Sequence, residues 1–252
     1  MSTHAHATGA AEPAADTLDR DWLSQWVQPQ HLTDEALRQH RADYAADPIP
    51  VVRVPDFLDA GVADRLYTFL ASEADFEPAF GVYAKKEKVS EAEWTAAADE
   101  ERLYRYAQLK GARSDVASLN PLLFIKLNKA LADRRFLDLF EQLTGTALGP
   151  LQSFGGKAFG AEDFLRPHDD RGLDRRLAFI VYLCPGWRAD YGGALHVRSR
   201  GGEEVVLDIE HNSLVVFDVD GHEAHWIDRV DPAAGDRRRM TLGGWIKSPD
   251  GA

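Results

Sequence analysis

Cysteine and clustered basic residues are what this sequence has least of. Among its 252 residues there is a single cysteine, Cys184. An internal disulfide is therefore excluded, as is a zinc site built from four cysteines, and a reducing compartment is the expected environment. The basic residues form no run and the formal net charge is -12. A nucleic-acid-binding surface is therefore not expected to be the main function, whereas a small-molecule substrate and a protein partner both stay open.

Long apolar segments are also missing. No apolar run approaches the roughly 18 residues that a membrane-spanning helix needs. The N-terminal residues contain no apolar stretch of the length found in secretion signals. We therefore predict a cytoplasmic protein with no membrane partner. Residues 1–16 are predicted to form a disordered tail, and residues 17–252, which are enough to bury a substantial core, are predicted to form one domain.

The first half of the chain has helical patterns. Trp22, Leu23 and Trp26 lie at helical spacing, and Thr33 precedes a sequence typical of a first helical turn. Asp59 is expected to cap a further helix, and residues 118–143 carry apolar residues at helical spacing. The proline-flanked run at 51–54 predicts a short strand. We expect the helices of residues 17–144 to support the rest of the domain.

Residues 77–111 have no clear period. They mix aromatic side chains with lysines and arginines, which predicts a long connection. Such a connection inside a compact domain is often a functional lid, and a solvated excursion is the alternative. As a lid it would place Tyr104, Arg105 and Tyr106 against a substrate, because these side chains can pack on a ring or hold a carboxylate.

From Gly145 onward, short β-type runs alternate with turn residues. The candidate strands cover residues 151–158, 176–183, 194–197, 204–208, 213–218, 225–230 and 239–247. Strands at this spacing suggest a sandwich or a jelly-roll. The predicted fold class is therefore α+β, with a jelly-roll core over residues 145–248 that is buttressed by the N-terminal helices.

A histidine and an aspartate, His168 and Asp170, form the most distinctive motif. In an extended segment, side chains two positions apart point to the same side, so both could face one metal ion. A second imidazole would come from His222 or His225, about fifty residues further along the chain. Two histidines and a carboxylate on one face of a metal form the ligand set of non-haem Fe(II) oxygenases. On its own, the His-x-Asp pair is equally compatible with a solvated surface turn.

The surrounding residues strengthen the metal interpretation. They are the pair Arg175-Arg176, Tyr182 at the end of an apolar run, Pro185 and Trp187, Gly192-Gly193, and Arg239 followed by Gly244-Trp245. In this order and spacing, residues 150–247 resemble the 2-oxoglutarate/Fe(II)-dependent oxygenases. Within them, they resemble the prolyl hydroxylase group, especially the catalytic domain of hydroxylases of a ribosomal protein. The resemblance implies a double-stranded β-helix, another name for the jelly-roll, that uses Fe(II), 2-oxoglutarate and O2.

The resemblance also implies a ligand set. His168, Asp170 and His225 would hold the iron and would be the catalytic residues. His225 is preferred to His222 because the residues that follow it match the family pattern. In related halogenases a small residue replaces the carboxylate and leaves room for chloride, so Asp170 favours hydroxylation.

Two further residues are assigned to the co-substrate by the same resemblance. Arg239 would pair with the distal carboxylate of 2-oxoglutarate through its two-pronged guanidinium, and Tyr182 would donate its hydroxyl to that carboxylate. Arg237 and Arg238 compete on composition alone, but the spacing to Trp245 favours Arg239.

One family feature is missing. Related enzymes often have a tyrosine nine residues before the first iron-binding histidine, where this chain has Phe159. One hydrogen bond to the co-substrate is therefore expected to be absent or supplied elsewhere.

The expected function is hydroxylation of an aliphatic C–H bond by an Fe(II)/2-oxoglutarate-dependent dioxygenase. The first substrate class is a prolyl or other amino-acid side chain in a protein or peptide, and the alternative is a free amino acid or a small biosynthetic metabolite. A non-catalytic jelly-roll that binds a metal or a carboxylate is a remote third possibility.

Overall fold

Helices fill the first part of the chain and strands dominate the second. The protein is described by a computed structural model over residues 18–46, 49–85 and 87–249, and the tail predicted for residues 1–16 lies outside these ranges. The α-helices in this part are α1 (Arg20–Leu23), α2 (Asp34–Tyr44), α3 (Ala60–Thr68), α4 (Glu91–Ala96), α5 (Asn120–Leu131) and α6 (Arg134–Thr144). Within the described ranges, no helix is both long and apolar enough to span a membrane.

The helix ends follow the capping residues that the sequence offers. The Thr33 hydroxyl accepts a hydrogen bond from the Ala36 amide at the start of α2, and the Asp59 carboxylate accepts one from the Val62 amide at the start of α3. Each cap satisfies an amide that has no partner inside its helix. α6 ends at Gly145, whose φ of 70° lies in the left-handed region that glycine adopts without strain.

Eleven strands form one continuous sheet in the described residues. They are β1 (Val51–Val54), β2 (Ala74–Val82), β3 (Arg102–Ala112), β4 (Leu151–Phe159), β5 (Phe164–His168), β6 (Arg175–Tyr182), β7 (Leu195–Arg198), β8 (Glu204–Leu207), β9 (Leu214–Asp218), β10 (Ala224–Ile227) and β11 (Arg239–Lys247). The pairing order is β1-β9-β6-β11-β4-β3-β5-β10-β7-β8, with β2 on β3. The sheet curls into a nearly closed antiparallel barrel, which confirms the predicted α+β jelly-roll.

The central strands are covered on both faces. In β6, Leu177, Phe179 and Val181 belong to the core between sheet and helices, while Ala178 and Tyr182 belong to a second core inside the barrel. Side chains alternate across a strand. Because both faces are buried, β6 is a nearly continuous apolar run, and one of its faces is free to line an interior cavity.

α6 provides much of the outer cover. Its apolar residues lie on one side, and the ring of Phe140 packs 5.3 Å from the ring of Phe179 on β6. Burying a phenylalanine of this kind contributes about 1.5–3 kcal/mol. The helices therefore support the sheet from outside, as the sequence predicts.

Residues 77–111 are not the long connection that their sequence suggests. Most of them lie in β2 and β3, which pair antiparallel, with α4 between the two strands. Pro78 lies inside β2, where a proline argues against a strand in the sequence. Nearly all of β3 is half-buried, without the alternation that identifies a strand. β3 also pairs with both β4 and β5. The segment is therefore part of the barrel wall, and this correction changes which of its residues can reach the interior.

Candidate active site

The barrel encloses a cavity of about 320 Å³. Strands from both halves of the sheet line it, because β4, β6 and β11 face β5 and β10 across the interior. Leu165, Phe217 and Ile227 give the cavity apolar walls. A small-molecule site typically combines such walls with a few convergent polar groups.

Three candidate metal ligands meet in this cavity. His168 on β5 pairs directly with His225 on β10, so the two imidazoles are neighbours, with ring centroids 4.2 Å apart. Asp170 follows two residues after His168. Its Oδ1 lies 3.8 Å from His168 Nε2, and its Oδ2 lies 3.3 Å from His225 Nε2. One ligand atom from each residue lies within 4.8 Å of the other two, close enough to hold one metal ion.

Hydrogen bonds behind the histidines prepare both rings for a metal. Nδ1 of His168 donates to the backbone oxygen of Arg166 at 3.0 Å, which leaves the Nε2 lone pair free. Nδ1 of His222 donates to the Asp218 backbone oxygen at 2.7 Å. His222 Nε2 can then accept from Nδ1 of His225 at 2.9 Å. Such outer partners fix the tautomer and the orientation of metal-binding histidines, so the donor set fits a divalent metal.

The protonation states suit the same role. Burial and the neighbouring His225 lower the pKa of His168 to about 4, so its imidazole is neutral at pH 7. Burial alone would raise the pKa of Asp170, but the adjacent His225 and His168 and the nearby Lys157 hold it well below the usual range. Neutral imidazoles and an ionised carboxylate are the forms that bind metals.

Asp170 is also held in place by Trp245 on β11 and Arg175 at the start of β6. The Trp245 indole donates to Asp170 Oδ2 at 2.8 Å, and Arg175 approaches Oδ1 at 3.4 Å. The Arg175 guanidinium itself lies 4.0 Å from the Trp245 ring centroid. Both residues belong to the sequence motif, but the sequence does not predict that they orient the carboxylate.

A buried guanidinium forms a second polar centre in the cavity. Arg239 is 1% exposed; its Nε donates to the Gly193 backbone oxygen at 2.8 Å and its Nη2 to the Tyr182 hydroxyl at 3.2 Å. Nη1 has no hydrogen-bond partner among the described residues, so it is available to an anion. Tyr182 lies behind Arg239 and does not itself line the cavity. Arg237 and Arg238 are exposed.

Phe159, at the position where related enzymes often have a tyrosine, is fully buried. Its ring centroid lies 5.0 Å from the Arg239 guanidinium carbon and 5.2 Å from the Tyr106 ring. Tyr106 lines the cavity from the neighbouring strand β3. Burial raises the pKa of Tyr106 to about 12, with a contribution from Asp170, so its hydroxyl stays protonated. A phenolic donor is therefore present close to the phenylalanine.

The structure separates the three residues that the sequence groups as substrate contacts. Only Tyr106 lines the cavity. Tyr104 stacks on Tyr106 with centroids 4.9 Å apart and lies against Gly81, where an added Cβ would come within 2.2 Å of the ring. Arg105 forms an ion pair with Asp163 at 2.7 Å and does not line the cavity.

Two residues of the site are missed by the sequence interpretation. His222 is considered only as the alternative metal ligand, and its position behind His225, where it is fully buried, is not predicted. The His222-x-x-His225 spacing indicates that two histidines lie close together, but spacing alone does not distinguish a metal ligand from a residue that supports the ligand. Lys157 on β4 points into the cavity. In the sequence it is one polar residue within a strand pattern, and nothing marks it as functional.

Comparison with known proteins points to the same region. A family model described as the 2OG-Fe(II) oxygenase superfamily matches residues 155–247. Prolyl 3-hydroxylase OGFOD1 of Mus musculus is 29% identical over 114 residues, which are 43% of this chain and 21% of the relative. The chain therefore spans much less than two thirds of the length of that relative.

Solved structures share the fold at low identity. A prolyl-4-hydroxylase from Pseudomonas putida superposes with a TM-score of 0.54 and 19% identity, covering 84% of this chain and 98% of the other. A second structure is a prolyl hydroxylase from Trichoplax adhaerens in complex with a peptide fragment of the oxygen degradation domain of hypoxia inducible factor. It superposes with a TM-score of 0.58 and 14% identity, covering 88% of this chain and 93% of the other.

The family match and the site geometry coincide. His168, Asp170, His225 and Arg239 all lie inside the matched segment. The family implies Fe(II), 2-oxoglutarate and O2, and the donor set described above fits the metal and an anionic co-substrate. The β-rich residues 155–247 are thus similar to the 2OG-Fe(II) oxygenase superfamily, and this similar segment contains the candidate active site.

Proposed function

We propose that this protein is an Fe(II)- and 2-oxoglutarate-dependent dioxygenase that hydroxylates an aliphatic C–H bond of an amino-acid side chain. A prolyl residue in a protein or peptide is the first candidate, since the relatives named above are prolyl hydroxylases. The observation that carries the proposal is the cavity itself. It combines a two-histidine, one-carboxylate cluster with a buried arginine that has a free donor.

The metal ligands of this enzyme are His168, Asp170 and His225. Fe(II) held there, with 2-oxoglutarate and O2, would supply the oxidising power that converts C–H to C–OH, with release of succinate and carbon dioxide. His222 and the Asp218 carbonyl keep the His225 ring in the orientation that presents Nε2 to the metal.

Arg239 is the proposed anchor of 2-oxoglutarate. Its guanidinium is fixed by the Gly193 carbonyl and the Tyr182 hydroxyl, so binding a carboxylate costs little ordering of this side chain. Tyr182 keeps the guanidinium in place and, with a rotation of its hydroxyl hydrogen, could donate to the same carboxylate. Phe159 has no hydroxyl to donate to 2-oxoglutarate, and Tyr106 is the candidate donor of that hydrogen bond.

The apolar walls provide the remaining contribution. Leu165, Phe217 and Ile227 exclude water from the space beside the three metal ligands. Removing water strengthens the interactions between charged groups inside the cavity and limits side reactions of the oxidant. The cytoplasmic location expected from the sequence stays a prediction.

A free amino acid or small metabolite is a second candidate substrate. The observation in its favour is Lys157, a basic residue inside the cavity with no carboxylate within salt-bridge distance among the described residues. A free amino acid would bring such a carboxylate with it. The non-catalytic alternative has no comparable observation in its favour.

Succinate release is the direct test of this function. Purified protein would be incubated with Fe(II), 2-oxoglutarate and ascorbate, alone and with free amino acids or proline-containing peptides. We expect slow release without a prime substrate and faster release with one, together with a mass increase of one oxygen atom in that substrate. Absence of Fe(II)-dependent succinate, with or without the panel, would refute the proposed function.

A further inference from the structure

Lys157 is a basic residue in the cavity whose ammonium group forms no ion pair within the described residues. It lies on β4 opposite Thr241 of β11 and Gln108 of β3, and all three residues line the interior. In the described part of the chain no carboxylate lies within salt-bridge distance of its ammonium group, and no acceptor forms a hydrogen bond with it. Burial lowers the pKa of Lys157, and Asp170 opposes this shift. A cation in such a setting normally has an anionic partner.

Aromatic rings flank the ammonium group. Lys157 Nζ lies 5.3 Å from the Tyr106 ring centroid and 5.5 Å from the Trp245 ring centroid. These contacts stabilise the cation but leave its hydrogen-bond donors free. They also place it near Trp245, which donates to Asp170, whereas Arg239 lies at the opposite end of β11. The group is therefore on the metal side of the cavity.

Open space adjoins this position. Gly155 lies two residues before Lys157 on the same face of β4, and a Cβ added there would meet nothing within 4 Å. Its partner on β11 is Gly243, which also lines the cavity. Gly155 therefore leaves room for a ligand group near Lys157 and Trp245, whereas a Cβ added at Gly243 would meet the Phe179 backbone oxygen at 2.4 Å.

The charge balance of the cavity identifies the missing ligand. Apart from the two proposed histidine ligands, its ionisable acidic and basic lining side chains are Lys157, Arg239 and Asp170. Fe(II) would add two positive charges and 2-oxoglutarate would remove two, which leaves one positive charge. Arg239 is the anchor assigned to 2-oxoglutarate, so Lys157 is the cation left for the substrate.

We propose that Lys157 binds a carboxylate of the prime substrate, between the rings of Tyr106 and Trp245. The substrate class is then an amino acid oxidised on its aliphatic side chain, or a peptide with a carboxylate next to the oxidised residue. This inference rests on the proposed function, because it assigns the other anion site to 2-oxoglutarate.

The test compares Lys157→Met, which removes the charge but keeps the length, with Lys157→Arg and the wild type. Lys126→Met, at an exposed position on α5, is the control. Binding would be followed through the tryptophan fluorescence of protein loaded with redox-inactive Mn(II) and 2-oxoglutarate, which needs no turnover. The probes are L-proline and other free amino acids with their amides, and proline peptides carrying aspartate or asparagine beside the proline.

We expect at least one carboxylate probe to bind the wild type and the control about tenfold or more tightly than its amide. Lys157→Met should lose this preference, and Lys157→Arg should keep part of it. Binding of the free amino acids would identify the substrate's own carboxylate as the group that Lys157 binds, and binding of the aspartate peptides would identify a neighbouring side-chain carboxylate.

The inference is overturned if the wild type binds every acid and its amide equally well, or if Lys157→Met still binds the acid more tightly than the amide. It is also overturned if Lys157→Met loses much of its affinity for 2-oxoglutarate, because Lys157 would then anchor the co-substrate. Failure of the proposed function is distinguishable, because it would appear as absent succinate release while anion binding persists.

Discussion

His225 Nδ1 lies 2.9 Å from His222 Nε2, and His222 donates in turn to the backbone oxygen of Asp218. A carbonyl oxygen only accepts, so His222 Nδ1 carries the hydrogen and the neutral ring accepts through Nε2. The bond therefore fixes His225 in the tautomer whose Nε2 lone pair faces Asp170. A histidine three residues before the ligand thus acts as its support.

His222→Ala should weaken metal binding without removing a ligand. Loss of an outer hydrogen-bond partner of a metal-binding histidine typically costs about 10–100-fold in affinity. Titration with Mn(II) or Co(II) would measure the effect, and His222→Gln, which keeps a donor and an acceptor, should recover part of it. His211→Ala is the control. Unchanged affinity in His222→Ala would show that the hydrogen bond does not matter for the metal.

Arg239→Ala should raise the requirement for 2-oxoglutarate and leave metal affinity nearly intact. A lost charge-assisted contact to a partly buried carboxylate costs about 2–5 kcal/mol, or roughly 30- to several-thousand-fold in affinity. The measurement is the 2-oxoglutarate dependence of succinate release, with the exposed neighbour in Arg238→Ala as control. The assignment fails if the two variants behave in the opposite way.

Arg105→Ala should act on stability rather than on turnover, because Arg105 pairs with Asp163 outside the cavity. A pair of this exposure contributes about 1 kcal/mol or less, which corresponds to a fall in Tm of roughly 2–4 °C at most. Arg38→Ala, at an exposed helical position, is the control. If substrate hydroxylation collapses while Tm and substrate-free succinate release are unchanged, Arg105 contacts the substrate after all.

His196 should make stability depend on pH. Its Nδ1 lies 2.6 Å from Glu204 and its Nε2 lies 2.6 Å from Asp228. Burial alone would lower its pKa, but the two carboxylates outweigh burial and raise it above 6.5. The folded state then binds the proton more tightly than the unfolded state, so this stabilisation is complete below pH 6.5 and is lost as pH rises through the raised pKa.

His196→Gln would reveal this contribution. We expect the Tm difference between wild type and His196→Gln to be larger at pH 6 than at pH 9. A difference that stays constant over this range, or grows with pH, would contradict the assignment.

Sequence patterns predict the helices and strands that bury one face only, and the strands that are buried on both faces and therefore form an apolar run. The strands from β6 to β11 follow from short apolar runs, and α2 and α3 follow from their caps at Thr33 and Asp59. β2, β3 and β5 are not predicted. Pro78 lies within β2 and Pro167 within β5, and a proline argues against a strand in sequence-based prediction. The half-buried β3 shows no alternation of buried and exposed residues. Their strand character comes from tertiary pairing.

The sequence predicts those residues of the site that belong to a motif with a characteristic spacing. His168, Asp170, His225 and Arg239 are suggested by the sequence and meet in one cavity. The roles of His222 and Lys157 depend on the direction of one ring nitrogen and on the inward face of β4. Neither property is encoded in residue spacing, so only the folded chain places these residues in the site.

The central claim is that Asp170, with the two histidines, holds the Fe(II) on which 2-oxoglutarate turnover depends. Its most direct test compares Asp170→Ala with Asp169→Ala, since Asp169 is the exposed neighbouring carboxylate. Fe(II)-dependent succinate release and Mn(II) affinity would be measured for both variants and the wild type. We predict that Asp169→Ala behaves as the wild type, whereas Asp170→Ala releases no succinate and binds Mn(II) much more weakly. Full turnover by Asp170→Ala, or wild-type turnover that persists when Fe(II) is removed by a chelator, would contradict the account.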